Sequence, residues 1–310
     1  MTGADGSPTL VVGTGLLGGA VRRRLGPRWM SAQGIAWDTP AVSVRQLRAL
    51  AADLARAEGW RAAWCAGAGV VGASPATMRT ELDGVAAFLD GLSDGGSPGR
   101  LFMVSSAGGV YGAGGPEVLT EGSPVHPRSA YGEGKRAIEE HIGEWAASAG
   151  TAVLIGRISN LYGPGQDLSK RQGLVSHLCW NALRNEPTQI RVPLETTRDF
   201  LHADDAAARI MSWLDRQGGA DAGGATIKLV VSGVPMTLAR TITLVRAVTK
   251  RRMLVVHVDD GQQNEQPKHL RFRSTVLTAL DEAHLARPFE TGIAEVFESL
   301  RRQFAATGRG

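Results

Sequence analysis

Tyr131 and Lys135 stand four residues apart in Tyr131-Gly-Glu-Gly-Lys135, inside residues 129–149, whose pattern predicts a helix with Ser129 as its N-cap. On a helix, side chains at i and i+4 share one face. A phenol ordinarily gives up its proton at about pH 10, and a fixed ammonium beside it favours the phenolate. A tyrosine so placed can exchange a proton with a sugar or alcohol hydroxyl while a neighbouring cofactor exchanges hydride. The pair alone arises by chance on any amphipathic helix, so its company decides.

The elements that must position it are readable. Residues 101–104 form a short apolar run, a buried strand that ends in Ser105-Ser106. Near the start, Thr9-Leu-Val-Val12 is a β-rich run followed at once by Gly13-Thr-Gly15-Leu16-Leu17-Gly18 and a helical stretch to Leu25. Strand, glycine turn and helix is the context in which G-x-G-x-x-G acquires meaning. The first glycines permit a tight turn close to a pyrophosphate, and the last lets the helix pack on the strand with its amides facing phosphate. A second strand is expected over 34–37. It ends in Asp38, twenty residues after Gly18, where a carboxylate can accept the ribose hydroxyls of NAD and repel the 2′-phosphate of NADP.

Residues 45–58 are expected as a helix, 61–65 as the next buried strand, opening into Ala66-Gly67-Ala68-Gly69, and 78–92 as another helix. Residues 152–155 read as a strand, 173–184 as a helix, 197–202 as a strand and 203–214 as a helix. The run closes with a strand at 227–231, a helix at 238–249, a strand at 253–258 and a charged amphipathic helix after 282. Alternating strands and helices predict an α/β fold: a doubly wound parallel sheet of Rossmann type with a smaller C-terminal α/β lobe for substrate. The expected division is a tail at 1–8 and a cofactor domain at 9–165 to which 197–215 returns. A substrate lobe takes 166–196 and 216–303, and a second tail 304–310.

The chain has 310 residues and a hydrophobic content of 43%, enough for a full core, with no apolar run near the roughly 20 residues a membrane span requires. The first eight residues lack the basic and apolar regions of a signal peptide, so a cytoplasmic protein is expected. Cys65 and Cys179 are isolated in apolar segments and build neither a disulfide framework nor a zinc cluster. The seven histidines fall in no ligand spacing, so no metal is expected. A formal charge of +4 is spread along the chain, and its densest runs, Arg22-Arg23-Arg24 and Arg301-Arg302, lack interleaved aromatics, which speaks against nucleic acid.

Taken together, these residues resemble the extended short-chain dehydrogenase/reductases, specifically the NAD-dependent epimerase/dehydratase family that acts on nucleotide sugars. The markers are Gly13-x-Gly15-x-x-Gly18 with Asp38, Val104-Ser-Ser-Ala-Gly-Gly-Val-Tyr-Gly112, Tyr131-x-x-x-Lys135, Arg157-Ile-Ser-Asn160-Leu-Tyr-Gly-Pro-Gly165 and Arg198-Asp-Phe-Leu-His-Ala-Asp204. They cover roughly residues 9–296. The resemblance implies NAD as cofactor, held by Gly13, Gly15, Leu16, Leu17, Gly18, Asp38, Cys65, Ala66, Gly67 and Ser105 together with Tyr131 and Lys135. It implies Tyr131 as acid/base, Lys135 on the nicotinamide ribose, and Asn160 and Arg198 on a nucleotide-diphosphate sugar, with Arg198 facing the diphosphate. A homodimer is a compatible assembly.

Four positions depart from the family pattern. Val12 replaces its usual first glycine, Glu81 stands where an asparagine is usual, and Gly69 replaces a polar residue. Ala107 occupies the place of the catalytic Ser or Thr. Ser106, one residue earlier, is the candidate for the missing hydroxyl on the substrate. Alternation along a strand would aim it away unless the strand has already ended. The implied activity is a nucleotide-sugar 4-epimerase working through a transient keto-sugar. Alternatives are a keto-sugar reductase or dehydrogenase with the same machinery, and a dinucleotide-binding sensor or scaffold without turnover, which Ala107 favours.

Overall fold

The computed structural model describes residues 8–27, 30–32, 34–67, 72–112, 116–170, 172–216, 223–258 and 267–306. In chain order, β1 (Thr9–Val12), α1 (Leu16–Leu25), β2 (Met30–Ser31), α2 (Pro40–Leu54), β3 (Trp60–Trp64), α3 (Pro75–Gly95) and β4 (Gly99–Ser106) come first. α4 (Ala107–Val110), α5 (Ala130–Ala149), β5 (Ala152–Ile158), β6 (Asn160–Tyr162), α6 (Leu174–Arg184), β7 (Pro187–Ile190), β8 (Thr197–His202) and α7 (Ala203–Leu214) follow. β9 (Gly224–Val230), β10 (Pro235–Thr237), α8 (Leu238–Thr249), β11 (Leu254–His257), α9 (Thr278–Ala283) and α10 (Phe289–Ala306) complete the described chain.

Six parallel strands form the large sheet in the order β2-β1-β3-β4-β5-β9. Its central strands are apolar on both faces because helices cover both. Leu10, Val12, Trp64, Leu101, Met103, Val153 and Ile155 pack with α2, α3 and α5, whereas Val11, Ala63, Phe102 and Leu154 pack with α1 and α7. That is the period of two in a strand written into two separate cores. The fold is therefore the expected doubly wound α/β architecture. Smaller sheets, β10-β8-β6 and β11-β7, gather a third core of Val175, Leu178, Cys179, Val245, Ile293 and Val296. Among the described residues, no helix is long and apolar enough to cross a membrane.

Three expectations are corrected. The second strand lies at Met30–Ser31, not at 34–37. Gly34 takes φ +86°, and Gln46 of α2 accepts from the Ala36 amide and donates to the Gly34 carbonyl, so this stretch folds back as a turn onto α2. Asp38 consequently sits exposed in the turn before Pro40, not at a strand end, and Gln33, which follows Ala32 beyond β2, lies outside the described residues. α2 itself starts earlier than 45 because Pro40, with its φ preset, opens the first turn. Finally, β9 lies inside the 216–303 stretch expected in the smaller lobe, yet it pairs with β5 from Ala152↔Gly224 to Ile158↔Val230 as the edge of the large sheet.

Candidate active site

The turn after β1 is built from three glycines with three different duties. Gly13 takes φ +103°, and a β-carbon there would lie 2.6 Å from the Ala66 amide nitrogen. One on Gly18 would collide with the Gly13 carbonyl oxygen, so the helix sits directly on the turn. Gly15, the N-cap of α1, faces open space, with nothing within 4 Å of a β-carbon. No side chain caps the helix and no acidic residue stands in its first turn. The amides of Leu16, Leu17 and Gly18 open the helix and so have no partner within it, as an anion requires. The Leu17 side chain itself is buried in the α1–α7 core, so only its backbone can serve a ligand. These features fit a dinucleotide pyrophosphate.

β3 closes the same groove. The Cys65 amide donates to the Val12 carbonyl at 2.8 Å, and the Trp64 indole donates to the Ala66 carbonyl at 3.0 Å. Burial pushes the Cys65 thiol up to about 12, against a smaller opposing pull from Arg22, so it stays an uncharged lining group. Gly67 passes over two side chains that meet beneath it. A β-carbon there would be 3.5 Å from both Glu81 Oε1 and Lys135 Nζ. Gly69 of the same loop lies outside the described residues.

α5 brings up Tyr131 and Lys135. The Ser129 hydroxyl oxygen accepts from the Gly132 amide at 3.2 Å and starts the helix as expected. The two glycines between the pair are steric devices. A side chain on Gly132 would strike the Gly109 carbonyl oxygen, and one on Gly134 would come 2.6 Å from Met78 of α3. α5 is thereby wedged against α4 on one side and α3 on the other. Lys135 Nζ donates to Glu81 Oε1 at 2.6 Å, with both side chains 5% exposed, and lies 5.8 Å from the Tyr131 ring centroid. Burial disfavours the ammonium, but attraction to Glu81, with Tyr131 and Glu139 adding to it, outweighs burial and raises the Lys135 pKa.

The end of β4 decides where the hydroxyls face. The strand runs through Ser106, and Ser105, Ser106 and Ala107 point in alternating directions. Ser105 is turned inward and donates to Glu139 Oε1 at 2.5 Å, so its hydroxyl does not line the groove. Ala107 is wholly buried beside Val110, Tyr111 and Leu270. Ser106 alone faces the Tyr131 side: a β-carbon on Gly109 would lie 2.8 Å from Tyr131 Cε1 and 3.3 Å from Ser106 Cβ. The Ser106 oxygen accepts from the Gly109 amide at 3.1 Å, which leaves its proton to be donated outward.

Below these residues lies a network that the sequence reading missed. Arg157 holds Glu139 through Nε at 3.0 Å and Nη2 at 2.6 Å, and its Nη1 donates to the Tyr111 hydroxyl at 2.7 Å. Tyr111 in turn donates to the Thr120 carbonyl. Glu139 follows Lys135 by four residues on the same helix face, and that spacing was the available signal.

The two expected substrate residues sit farther along the chain, on β6 and β8. Asn160 Nδ2 donates to the Asp199 carbonyl at 3.0 Å. Arg198 is 7% exposed, and its Nη1 donates to the carbonyls of Thr197 and Pro267, each at 2.9 Å. Burial pulls its pKa down to about 10. Nearby, Asp199 accepts from Ser159, Ser232 and Gly233, and Asp204 pairs with Arg23.

Among the described residues, one cluster offers metal-ligand atoms: His202, Asp204 and Glu295. It is not arranged for a cation. His202 Nδ1 accepts from the Asp204 amide, which assigns the proton to Nε2, 3.4 Å from Glu295 Oε2. Arg23 and Arg287 already neutralise the two carboxylates, at 2.7 and 2.5 Å. The cluster pins α1, α7 and α10 together.

Known proteins resemble this chain in sequence and in fold. The model of the NAD dependent epimerase/dehydratase family matches residues 62–225. The UDP-glucuronic acid decarboxylase 6 of Arabidopsis thaliana is 30% identical over 122 residues, 38% of this chain and 35% of that protein. The dTDP-4-dehydro-6-deoxyglucose reductase of Escherichia coli is 26% identical over 166 residues, 53% of this chain and 50% of that protein. The chain spans about a quarter to a half of the curated relatives it matches. The UDP-glucose 4-epimerase of Thermotoga maritima, solved with UDP-glucose, superimposes with a TM-score of 0.79 at 19% identity, covering 96% of this chain and 99% of the other. At that identity the likeness speaks for the fold.

Proposed function

Since the chain belongs to the NAD dependent epimerase/dehydratase family, we propose that it is a nucleotide-sugar epimerase of the 4-epimerase kind, acting through a transient keto-sugar. The observation that carries the reading is Tyr131 held half-buried beside Ser106, with the charged Lys135 on the same helix face and the open glycine turn of Gly15 in the adjoining groove. NAD, bound along Gly13, Gly15, Gly18, Ala66 and Gly67, supplies a reversible acceptor for hydride. Tyr131 takes the proton from the reacting hydroxyl and returns it. Lys135 sets the field at the phenol and offers a donor to the cofactor ribose. Ser106 donates its free proton to the reacting oxygen and orients it. Asn160 and Arg198 hold the nucleotide-diphosphate portion.

A net redox reaction on a keto-sugar is the second reading, favoured by the Escherichia coli reductase that matches just over half of this chain. One experiment separates the two. Purified protein is offered UDP-, GDP- and dTDP-sugars with NAD, and the matching 4-keto-sugars with NADH or NADPH, with products read by NMR and cofactor oxidation state by absorbance. An epimerase changes the sugar with no net change in cofactor, whereas a dehydrogenase accumulates NADH and a reductase consumes NADH or NADPH in step with product. No product from any of these sugars would overturn both.

Two further outcomes are expected. Ser106→Ala should slow turnover by about tenfold to a thousandfold with NAD affinity unchanged. Adding Ala107→Ser should not restore it, because position 107 faces the core, and should cost about 1 to 3 kcal/mol in denaturant unfolding. A silent Ser106→Ala with an accelerating Ala107→Ser would refute the assignment. Arg198→Ala should raise the apparent KM for the nucleotide-sugar about tenfold or more through loss of a charge-assisted contact, and leave the NAD dissociation constant alone. Equal damage to both ligands would make Arg198 an anchor for residues 267–268 only.

A further inference from the structure

The charge on Lys135 is improbable from its surroundings alone. Its side chain is 5% exposed, and an ammonium so enclosed tends to shed its proton. The groups facing it are few. From α3 comes Glu81, at 2.6 Å. From its own helix come Tyr131, whose ring centroid lies 5.8 Å from Nζ, and Glu139 one turn on. From above comes the backbone of Gly67. Of the two carboxylates, Glu139 is already claimed by Arg157 of β5 and by Ser105 of β4. Glu81 is therefore the group whose charge Lys135 depends on, and it comes from a different element, so the two helices must be in register for the pair to form.

We propose that Glu81 is a positioning residue, one that keeps Lys135 protonated and aimed at the cofactor groove across the pH range in which Tyr131 works. This inference rests on the function proposed above, where Lys135 meets both the phenol and the cofactor ribose. With Glu81 in place, burial is outweighed and the Lys135 pKa stands above the ordinary lysine value, so its charge is present throughout the neutral range and is lost only as pH rises through that elevated pKa. With the carboxylate replaced by the similarly sized amide of glutamine, burial is left to dominate. The folded-state pKa then falls below the unfolded one, and the charge is lost as pH rises through that lowered pKa.

Calorimetry of NAD binding between about pH 6 and pH 9 is the test, run without any sugar so that turnover plays no part. Wild-type affinity should be flat over that range, and Glu81→Asp, which keeps the charge, should remain close to flat. Glu81→Gln should lose about tenfold in affinity between the two ends, corresponding to loss of one charge-assisted contact. A uniform loss at every pH, or no loss, would overturn the proposal and leave Glu81 a purely structural residue. Melting temperatures of the unliganded proteins supply a second readout that survives failure of the functional reading. Should wild-type protein not bind NAD at all, the function falls, yet the Glu81 inference is still decided. The Glu81→Gln deficit in Tm should shrink as pH rises, because a neutral lysine is cheaper to bury than a charged one. A deficit that is constant with pH would refute it.

Discussion

Tyr131→Phe should lower turnover on a nucleotide-sugar by at least about a hundredfold while the dissociation constant for NAD stays within about twofold of wild type. The substitution deletes one oxygen and keeps the ring. The ring is what the scaffold recognises: it lies over Gly109, where a β-carbon would come 2.8 Å from Cε1, and the Lys135 ammonium sits 5.8 Å from its centroid. Helix α5 is held by Gly132 against the Gly109 carbonyl, by Gly134 against Met78 and by the Ser129 cap, none of which involves the phenol oxygen. The fold and the glycine turn should therefore be unchanged, and the loss should appear in kcat. Single-turnover mixing with preloaded NAD separates chemistry from binding. Turnover within about threefold of wild type would show that another group moves the proton.

Lys135→Met should have the larger effect on the protein as a whole. Removing one charge of a buried ion pair costs about 3 to 5 kcal/mol. Glu81 would be left with its carboxylate enclosed, so the melting temperature should fall by about 5 to 15 °C, and both turnover and NAD affinity should drop. The double variant Glu81→Leu with Lys135→Met replaces both charges by apolar groups and should regain most of the lost stability without regaining turnover. A single variant that melts with wild type would show that the pair contributes nothing to the folded state.

Much of this was legible in the sequence wherever one residue type serves one local purpose. The strands at Thr9–Val12 and Thr197–His202 and the helices at Ala203–Leu214 and Leu238–Thr249 follow from apolar period and caps, and the structure has them with those bounds. The glycine turn could be read because strand, turn and helix are contiguous. What failed depended on partners distant in sequence. The apolar run at 34–37 has strand composition, but Gln46, ten residues from Ala36, holds it as a turn. The same is true of β9, whose partner β5 is not its sequence neighbour. Within the candidate site, type and spacing point to Tyr131 and Lys135, and the family resemblance points to Ser106. Glu81 was noticed only as an odd residue, because its meaning comes from a helix crossing that no local pattern encodes. Ser105 and Ala107 were settled by strand alternation once the end of β4 was known.

The pairing of β9 with β5 has a consequence for how the chain is made. Gly224 comes 66 residues after Ile158, so on the ribosome the edge of β5 stays bare while all of β6 to α7 is being synthesised. At about 5 to 20 residues per second, that is an interval of about 3 to 13 seconds. An unpaired strand such as β5, reading Ala-Val-Leu-Ile, is a template for any other nascent chain during that interval. Its charged member, Arg157, is drawn inward to Glu139 and offers the edge no protection. Glu121, which accepts from the Leu229 amide on the far side of β9, shows how the finished edge is blunted: a carboxylate from the segment before α5 occupies a backbone donor that would otherwise recruit a neighbour. For β5 the hazard ends once β9 pairs with it. Yield from a cell should depend on translation speed and chaperone supply across residues 158–230 more than on the stability of the folded protein.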